Sequence, residues 1–150
     1  MELDYSYINA SLQDNMVEDV YAALLEAGTA PSDKHALHTT VMFDERKHET
    51  PLAKLDTTKT FRANVIGMGK LGDAYVFHLT SSELSEEFRS LKEAGYEHAY
   101  GTPLWHMSLC YDETPHTHLA LEEVFATWMG RELIFNNLAF GYKKPPKAQE

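Results

Sequence analysis

Two short segments of this chain repeat one pattern, and that repetition limits the fold more than any other feature. Leu37-His38-Thr39-Thr40-Val41-Met42-Phe43 and Trp105-His106-Met107-Ser108-Leu109-Cys110-Tyr111 each set a histidine and a hydroxyl residue two apart among bulky side chains. Apolar runs of this length read as β-strands. Residues two apart on a strand project from the same face. His38 and Thr40, and again His106 and Ser108, therefore present an imidazole beside a hydroxyl. One such tripeptide is common by chance; two in a chain of 150 residues look like a half-site duplicated and brought face to face.

The remainder of the chain supplies elements to carry these strands. Tyr5 through Asn9 alternates like a first strand, and Leu12 to Ala27 reads as a helix through Met16, Val20, Ala23, Leu24 and Ala27. Ser11 is placed to cap that helix and Gly28 to stop it. After the first motif comes a polar stretch with Pro51, expected as a loop near the site. Thr60 to Met68 and Ala74 to Thr80 read as a hairpin joined through Gly67, Gly69, Gly72 and Asp73. A second helix is expected over Ser82 to Ala94, ended by Gly95, and a third over His118 to Met129. The second motif strand spans Leu104 to Tyr111, and the last strand is Leu133 to Tyr142. The order β, α, β, hairpin, α, β, α, β gives the α+β class or a duplicated α/β pair, in one domain covering residues 1–150.

Charge narrows what such a domain binds. A net charge of −10 disfavours long nucleic acid, whose binding leans on clustered Lys and Arg. A small phosphate-bearing ligand remains compatible, with Lys34, Lys54, Lys59, Lys70, Lys92 and the cluster Lys143, Lys144, Lys147 as available cations. The single cysteine, Cys110, excludes an internal disulfide and suits a reducing cytoplasm. Met1-Glu2-Leu3-Asp4 carries no export pattern, and no apolar run reaches the roughly 18 residues of a membrane span. The expected location is the cytoplasm, with neither membrane nor obligate protein partner.

The doubled motif resembles the signature of the two-histidine (2H) phosphoesterase superfamily, a pair of His-x-Thr/Ser tripeptides in two related lobes lining one cleft. Residue by residue, the resemblance implies His38 and His106 as the catalytic pair, with Thr40 and Ser108 binding phosphate. It implies two small, mainly antiparallel sheets facing each other across the cleft, with helices outside. Within the superfamily, the short length, the Tyr-rich start and the tail after the last strand are most similar to phage anti-CBASS phosphodiesterases, which destroy cyclic oligonucleotide messengers. Their layout places base contacts at the N-terminus and in the last strand, which points to Tyr7, Glu132 and Phe140.

The chemistry fits the residue types. Cleaving a phosphodiester without metal needs a base for the attacking oxygen, an acid for the leaving oxygen, and donors for the phosphoryl oxygens. Imidazole titrates near 6.5, so one ring can be neutral while its partner is protonated at neutral pH. Tyr5, Tyr7, Tyr75, Trp105, Phe140 and Tyr142 are the aromatic side chains available for base stacking. The expected reaction is cofactor-free opening of a 3′-5′ linkage in a cyclic oligonucleotide. Two other readings stay open: an RNA-processing 2H enzyme acting on 2′,5′ linkages or 2′,3′-cyclic phosphates, and a sponge that binds nucleotide without turnover.

Three other patterns carry less. His116-x-His118, or His35 with His38, would make only partial metal sets, with no Cys-rich or His-Glu-x-x-His arrangement beside them. Gly67-Met68-Gly69-Lys70-Leu71-Gly72 spells the dinucleotide-binding glycine pattern, but the segment after it is strand-like where that fingerprint needs a helix. Strict alternation would put Cys110 on the face of His106 and Ser108, yet Met42 holds the matching place in the other copy, which favours apolar packing over a nucleophile.

Overall fold

The computed structural model describes residues 2–29, 37–111 and 117–143. Along them run β1 (Leu3–Leu12), α1 (Asp14–Glu26), β2 (His38–Phe43), β3 (Phe61–Leu71), β4 (Ala74–Thr80), α2 (Ser82–Glu93), β5 (His106–Tyr111), α3 (Thr117–Trp128) and β6 (Glu132–Tyr142). The class is α+β, as expected. His35, His116, Lys34, Lys144 and Lys147 lie outside the described residues.

The two-sheet expectation is corrected. All six strands join one antiparallel sheet in the order β2-β1-β6-β3-β4-β5. The cause is the length of β6. Its first residues, Glu132 to Phe135, pair with β3, while Phe135 to Tyr142 pair with β1. One continuous strand thus stitches together what would otherwise be two three-stranded halves. Where it passes between partners its register slips, and Asn137 takes a left-handed backbone with φ 52°, a conformation asparagine tolerates.

The motif strands β2 and β5 are the two edges of this sheet, yet they lie against each other in space. Register shifts in the β1–β2, β3–β4 and β4–β5 pairs accompany the bending that brings the edges together. The segment before β5 then ties the two edges. The Ala99 amide donates to the Phe43 carbonyl (2.7 Å), and the Phe43 amide donates to His98 Nδ1 (3.1 Å).

The core follows from periodicity. Ser6, Ile8, Ala10 and Leu12 are buried at alternate positions of β1, and the helices bury Val17, Val20 and Leu24, then Leu84, Phe88 and Leu91, then Leu121, Val124 and Trp128. Each fully buried Leu contributes about 1.5–3 kcal/mol relative to exposure. Ser81 caps α2, accepting from the Leu84 amide at 3.0 Å while its hydroxyl donates to the Arg62 carbonyl at 2.6 Å. Ser11 does not cap α1. It is the penultimate residue of β1, paired across to His38, and Gln13 takes the cap position without a side-chain bond.

Gly67 and Gly69 are likewise strand residues rather than turn residues. The β3–β4 turn is confined to Gly72 and Asp73, with Gly72 at φ +60°. Gly67 and Gly69 both lie against His78 on β4, and Gly69 makes room for it: a Cβ at Gly69 would lie 2.6 Å from His78 Nε2, whereas one at Gly67 would meet His78 only at an ordinary 3.7 Å.

Candidate active site

The two motif strands share more than sequence. In each, the histidine and the hydroxyl residue are half-buried with a buried residue between them, and the next two residues are both buried. Two consecutive buried residues break period two, and the register explains them. Ile8 and Asn9 pair with Met42 and Thr40, leaving Val41 as the extra residue of a bulge. Tyr75 and Val76 pair with Cys110 and Ser108, leaving Leu109 extra at the matching position. The bulge turns Cys110 into the core, fully buried, so it does not share the face of His106 and Ser108 as strict alternation required.

On the β2 side, the Tyr7 hydroxyl lies 3.2 Å from His38 Nε2 and 3.5 Å from Thr40 Oγ1. The Tyr7 ring sits on Gly141, where any Cβ would collide with it, and meets the Phe43 ring edge-on at 6.2 Å. On the β5 side, His106 Nδ1 is 2.7 Å from the Leu104 carbonyl. A carbonyl only accepts, so Nδ1 carries the proton and Nε2 is the acceptor nitrogen of the neutral ring. His78 is the direct cross-strand partner of His106, and its Nδ1 is buried with no hydrogen-bond partner among the described residues.

Between these strands lies a cavity of about 980 Å³. Tyr7, Thr40 and His106 are in its wall, with Phe43, Tyr100 and Tyr142 as aromatic neighbours. Tyr100 is stacked on Phe43 at 6.3 Å and 30°, and is itself 76% exposed. Lys47 and Lys143 bring positive charge, Asp4 and Glu49 negative. The segment expected as a loop near the site does reach it, through Lys47, His48 and Glu49.

Asp44 anchors that loop. Buried at the end of β2, it accepts from the Arg46 side chain and amide, from His48 Nε2 at 3.0 Å and from the Glu97 amide at 3.0 Å. The Arg46 guanidinium, ahead of the opposing effect of burial, holds the Asp44 carboxyl far below its ordinary range. His98 also faces the cavity, and burial pushes its pKa down, consistent with a neutral ring accepting from the Phe43 amide.

The sequence-derived candidates therefore divide. Thr40, Tyr7 and His106 stand together in the cavity wall; His38 is not in the wall but is held within reach of the Tyr7 hydroxyl, and Ser108 lies two residues beyond His106 on the same half-buried face. Glu132 and Phe140 do not join them. Glu132 is exposed, paired with Asn64 and near the Arg62 guanidinium, and Phe140 meets Tyr5 edge-on at 5.2 Å beside a second cavity of about 680 Å³. Trp105 is buried, its indole donating to Ser85 Oγ. Sequence reasoning missed His98 and Tyr100; the aromatic and histidine-rich run Tyr96-Glu97-His98-Ala99-Tyr100 just before the second motif was the available signal.

Among the described residues no group of three or more His, Cys, Asp or Glu is placed to hold a metal ion, and no helix is long and apolar enough to cross a membrane. None of the curated proteins matches the chain. A family model described as anti-CBASS protein Acb1 matches residues 5–138, a span that takes in both motif strands and all of the cavity wall except Asp4, Tyr142 and Lys143. With the match covering most of its length, the chain belongs to the anti-CBASS protein Acb1 family.

Proposed function

We propose that the protein is a metal-independent phosphodiesterase of the two-histidine type, which opens a 3′-5′ linkage of a cyclic oligonucleotide messenger and so lets a phage disarm a nucleotide-signalled defence. The observation that carries this reading is the meeting of two matched His-x-Thr/Ser strands, bulge included, at one cavity. The family match to an anti-CBASS protein supports the biological setting.

The chemistry needs only the side chains present. One histidine removes the proton from a ribose 2′-hydroxyl, O2′ bonds to phosphorus, and the bond from phosphorus to O5′ breaks as the other histidine protonates O5′. The ring opens to a linear product with a 2′,3′-cyclic phosphate and a 5′-hydroxyl; water then opens the cyclic phosphate by the same groups with their roles exchanged. Thr40 and Ser108 donate to the non-bridging oxygens, where charge accumulates. Tyr100 and Tyr142, exposed at the cavity, offer faces for bases, and Asp4 and Glu49 are the carboxylates that can accept from exocyclic amines.

The test is product formation from cyclic di- and trinucleotides in EDTA, beside analogues with 2′-deoxyribose at the cleaved position and a 2′,5′-linked dinucleotide. Cleavage of the cyclic ribonucleotides with the deoxy analogues inert supports the reading. Turnover confined to the 2′,5′ substrate would assign the site to RNA processing instead, and binding with no product would make it a sponge.

A further inference from the structure

Tyr7 was a candidate for base stacking, but its surroundings give it a different task. One side of its ring is seated on the β6 backbone at Gly141, and Phe43 meets it edge-on. What it directs toward the site is its hydroxyl, within reach of both His38 and Thr40. We propose that Tyr7 is a positioning residue for His38, held by the glycine at position 141, and that it fixes the tautomer in which His38 Nε2 accepts.

A hydroxyl has one proton to give, and Tyr7 has two neighbours. Two relays satisfy all three before substrate binds, Thr40 Oγ–H to the Tyr7 oxygen with Tyr7 O–H to His38 Nε2, or His38 Nε2–H to the Tyr7 oxygen with Tyr7 O–H to Thr40 Oγ1; we take the first, which gives His38 the Nδ1–H state that His106 has. A lone pair at Nε2 places the proton of the neutral ring on Nδ1. Tyr7 and Thr40 both stand in the cavity wall, so the same bond turns His38 Nε2 toward residues of that wall. His106 arrives at an equivalent state by another route, through the Leu104 carbonyl on its Nδ1. Both imidazoles thus carry their proton on Nδ1, one by a backbone acceptor and the other by a side-chain donor, and substrate displaces the Tyr7 proton before His38 Nε2 takes one. Gly141 belongs to this device because no residue with a Cβ leaves Tyr7 its seat.

The kinetic part of the test rests on the phosphodiesterase reading; the spectroscopic part does not. Long-range 1H–15N spectra of histidine-labelled protein above pH 7.5 read the tautomer of each ring. For the wild type the expected result is an unprotonated His38 Nε2, with the Nε2–H form growing in Tyr7→Phe. With a cyclic dinucleotide, Tyr7→Phe is expected to lose about 10- to 100-fold in kcat with KM changed less than about twofold, the pattern of a lost outer partner of a working histidine. Gly141→Ala should reproduce the loss, with melting curves taken for both variants; Tyr7→Phe, which keeps the ring, remains decisive if Gly141→Ala does not fold. An unchanged His38 spectrum in Tyr7→Phe overturns the proposal. So does wild-type kcat in Tyr7→Phe together with a raised KM in Tyr7→Ala, which would return Tyr7 to base stacking. If the wild type turns over no cyclic nucleotide, the functional reading fails while the spectra still decide the role of Tyr7.

Discussion

Val41 and Leu109 are structural equivalents: each is the extra residue of a β-bulge three positions after a motif histidine, on strands at opposite edges of one sheet. The histidine and hydroxyl before the bulge stay half-buried on one face, and the next two side chains return to the core. The bulge also decides the fate of Cys110. Buried thiols in apolar surroundings are inert. Cys110 is therefore expected to resist a thiol reagent in the native protein and to react fully after denaturation; rapid modification of the folded protein would contradict the bulge-directed burial.

His98 gives the cavity a pH dependence. Burial lowers its pKa below the ordinary 6.5, so the unfolded chain takes up the proton before the folded one does. Its contribution to stability is complete above about pH 6.5 and is lost as the pH falls from there through the lowered native value. His98→Gln can still accept from the Phe43 amide without titrating. The wild type should lose melting temperature relative to this variant over that window, and parallel curves would contradict the assignment.

Asp44 acts at lower pH. Its carboxylate is stabilised by the Arg46 guanidinium, the His48 ring and two amides, so its contribution is complete above the usual carboxylate range and is lost as the pH falls through its depressed native value. Asp44→Ala leaves those donors without their acceptor and is expected to cost about 1–3 kcal/mol at pH 7. Urea midpoints at pH 7 for the two proteins measure this; equal midpoints would mean that solvent replaces the carboxylate.

Gly69 opposes its own strand propensity. Exchanging a strand glycine for alanine ordinarily relieves backbone entropy, yet here the new methyl group would stand 2.6 Å from His78 Nε2. Gly69→Ala should destabilise by about 1–3 kcal/mol, as overpacking does, and displace the His78 ring. A stabilised variant with an unmoved His78 signal would show that the space is not shared.

Much of this arrangement was legible in the sequence because it is local. The helix around Leu84, Phe88 and Leu91, with Gly95 just beyond it, is fixed by side chains within a few turns, and the two motif strands announce themselves by composition. The failures are non-local. Nothing near Phe135 states that β6 serves two partners, so one sheet could not be told from two. Nothing in Leu109-Cys110 marks a bulge, because that depends on the partner strand. Gly67 and Gly69 look like turn residues, and only the position of His78 across the strand shows that a Cβ at Gly69 would crowd its ring. That the two motif strands meet at one cavity was expected from the motif, whereas the absence of Glu132 and Phe140 from its wall follows from how β6 is threaded.

If His38 and His106 work on one phosphodiester, each is needed for turnover. The most direct measurement is turnover of a cyclic dinucleotide in EDTA by wild type, His38→Ala and His106→Ala, with circular dichroism confirming that each is folded. Wild-type cleavage is expected to be unaffected by the chelator, with a loss of about 10² to 10⁴ in each variant, the usual contribution of one proton-transfer group. Full activity in either folded variant, or a wild type silenced by EDTA, would contradict the two-histidine reading.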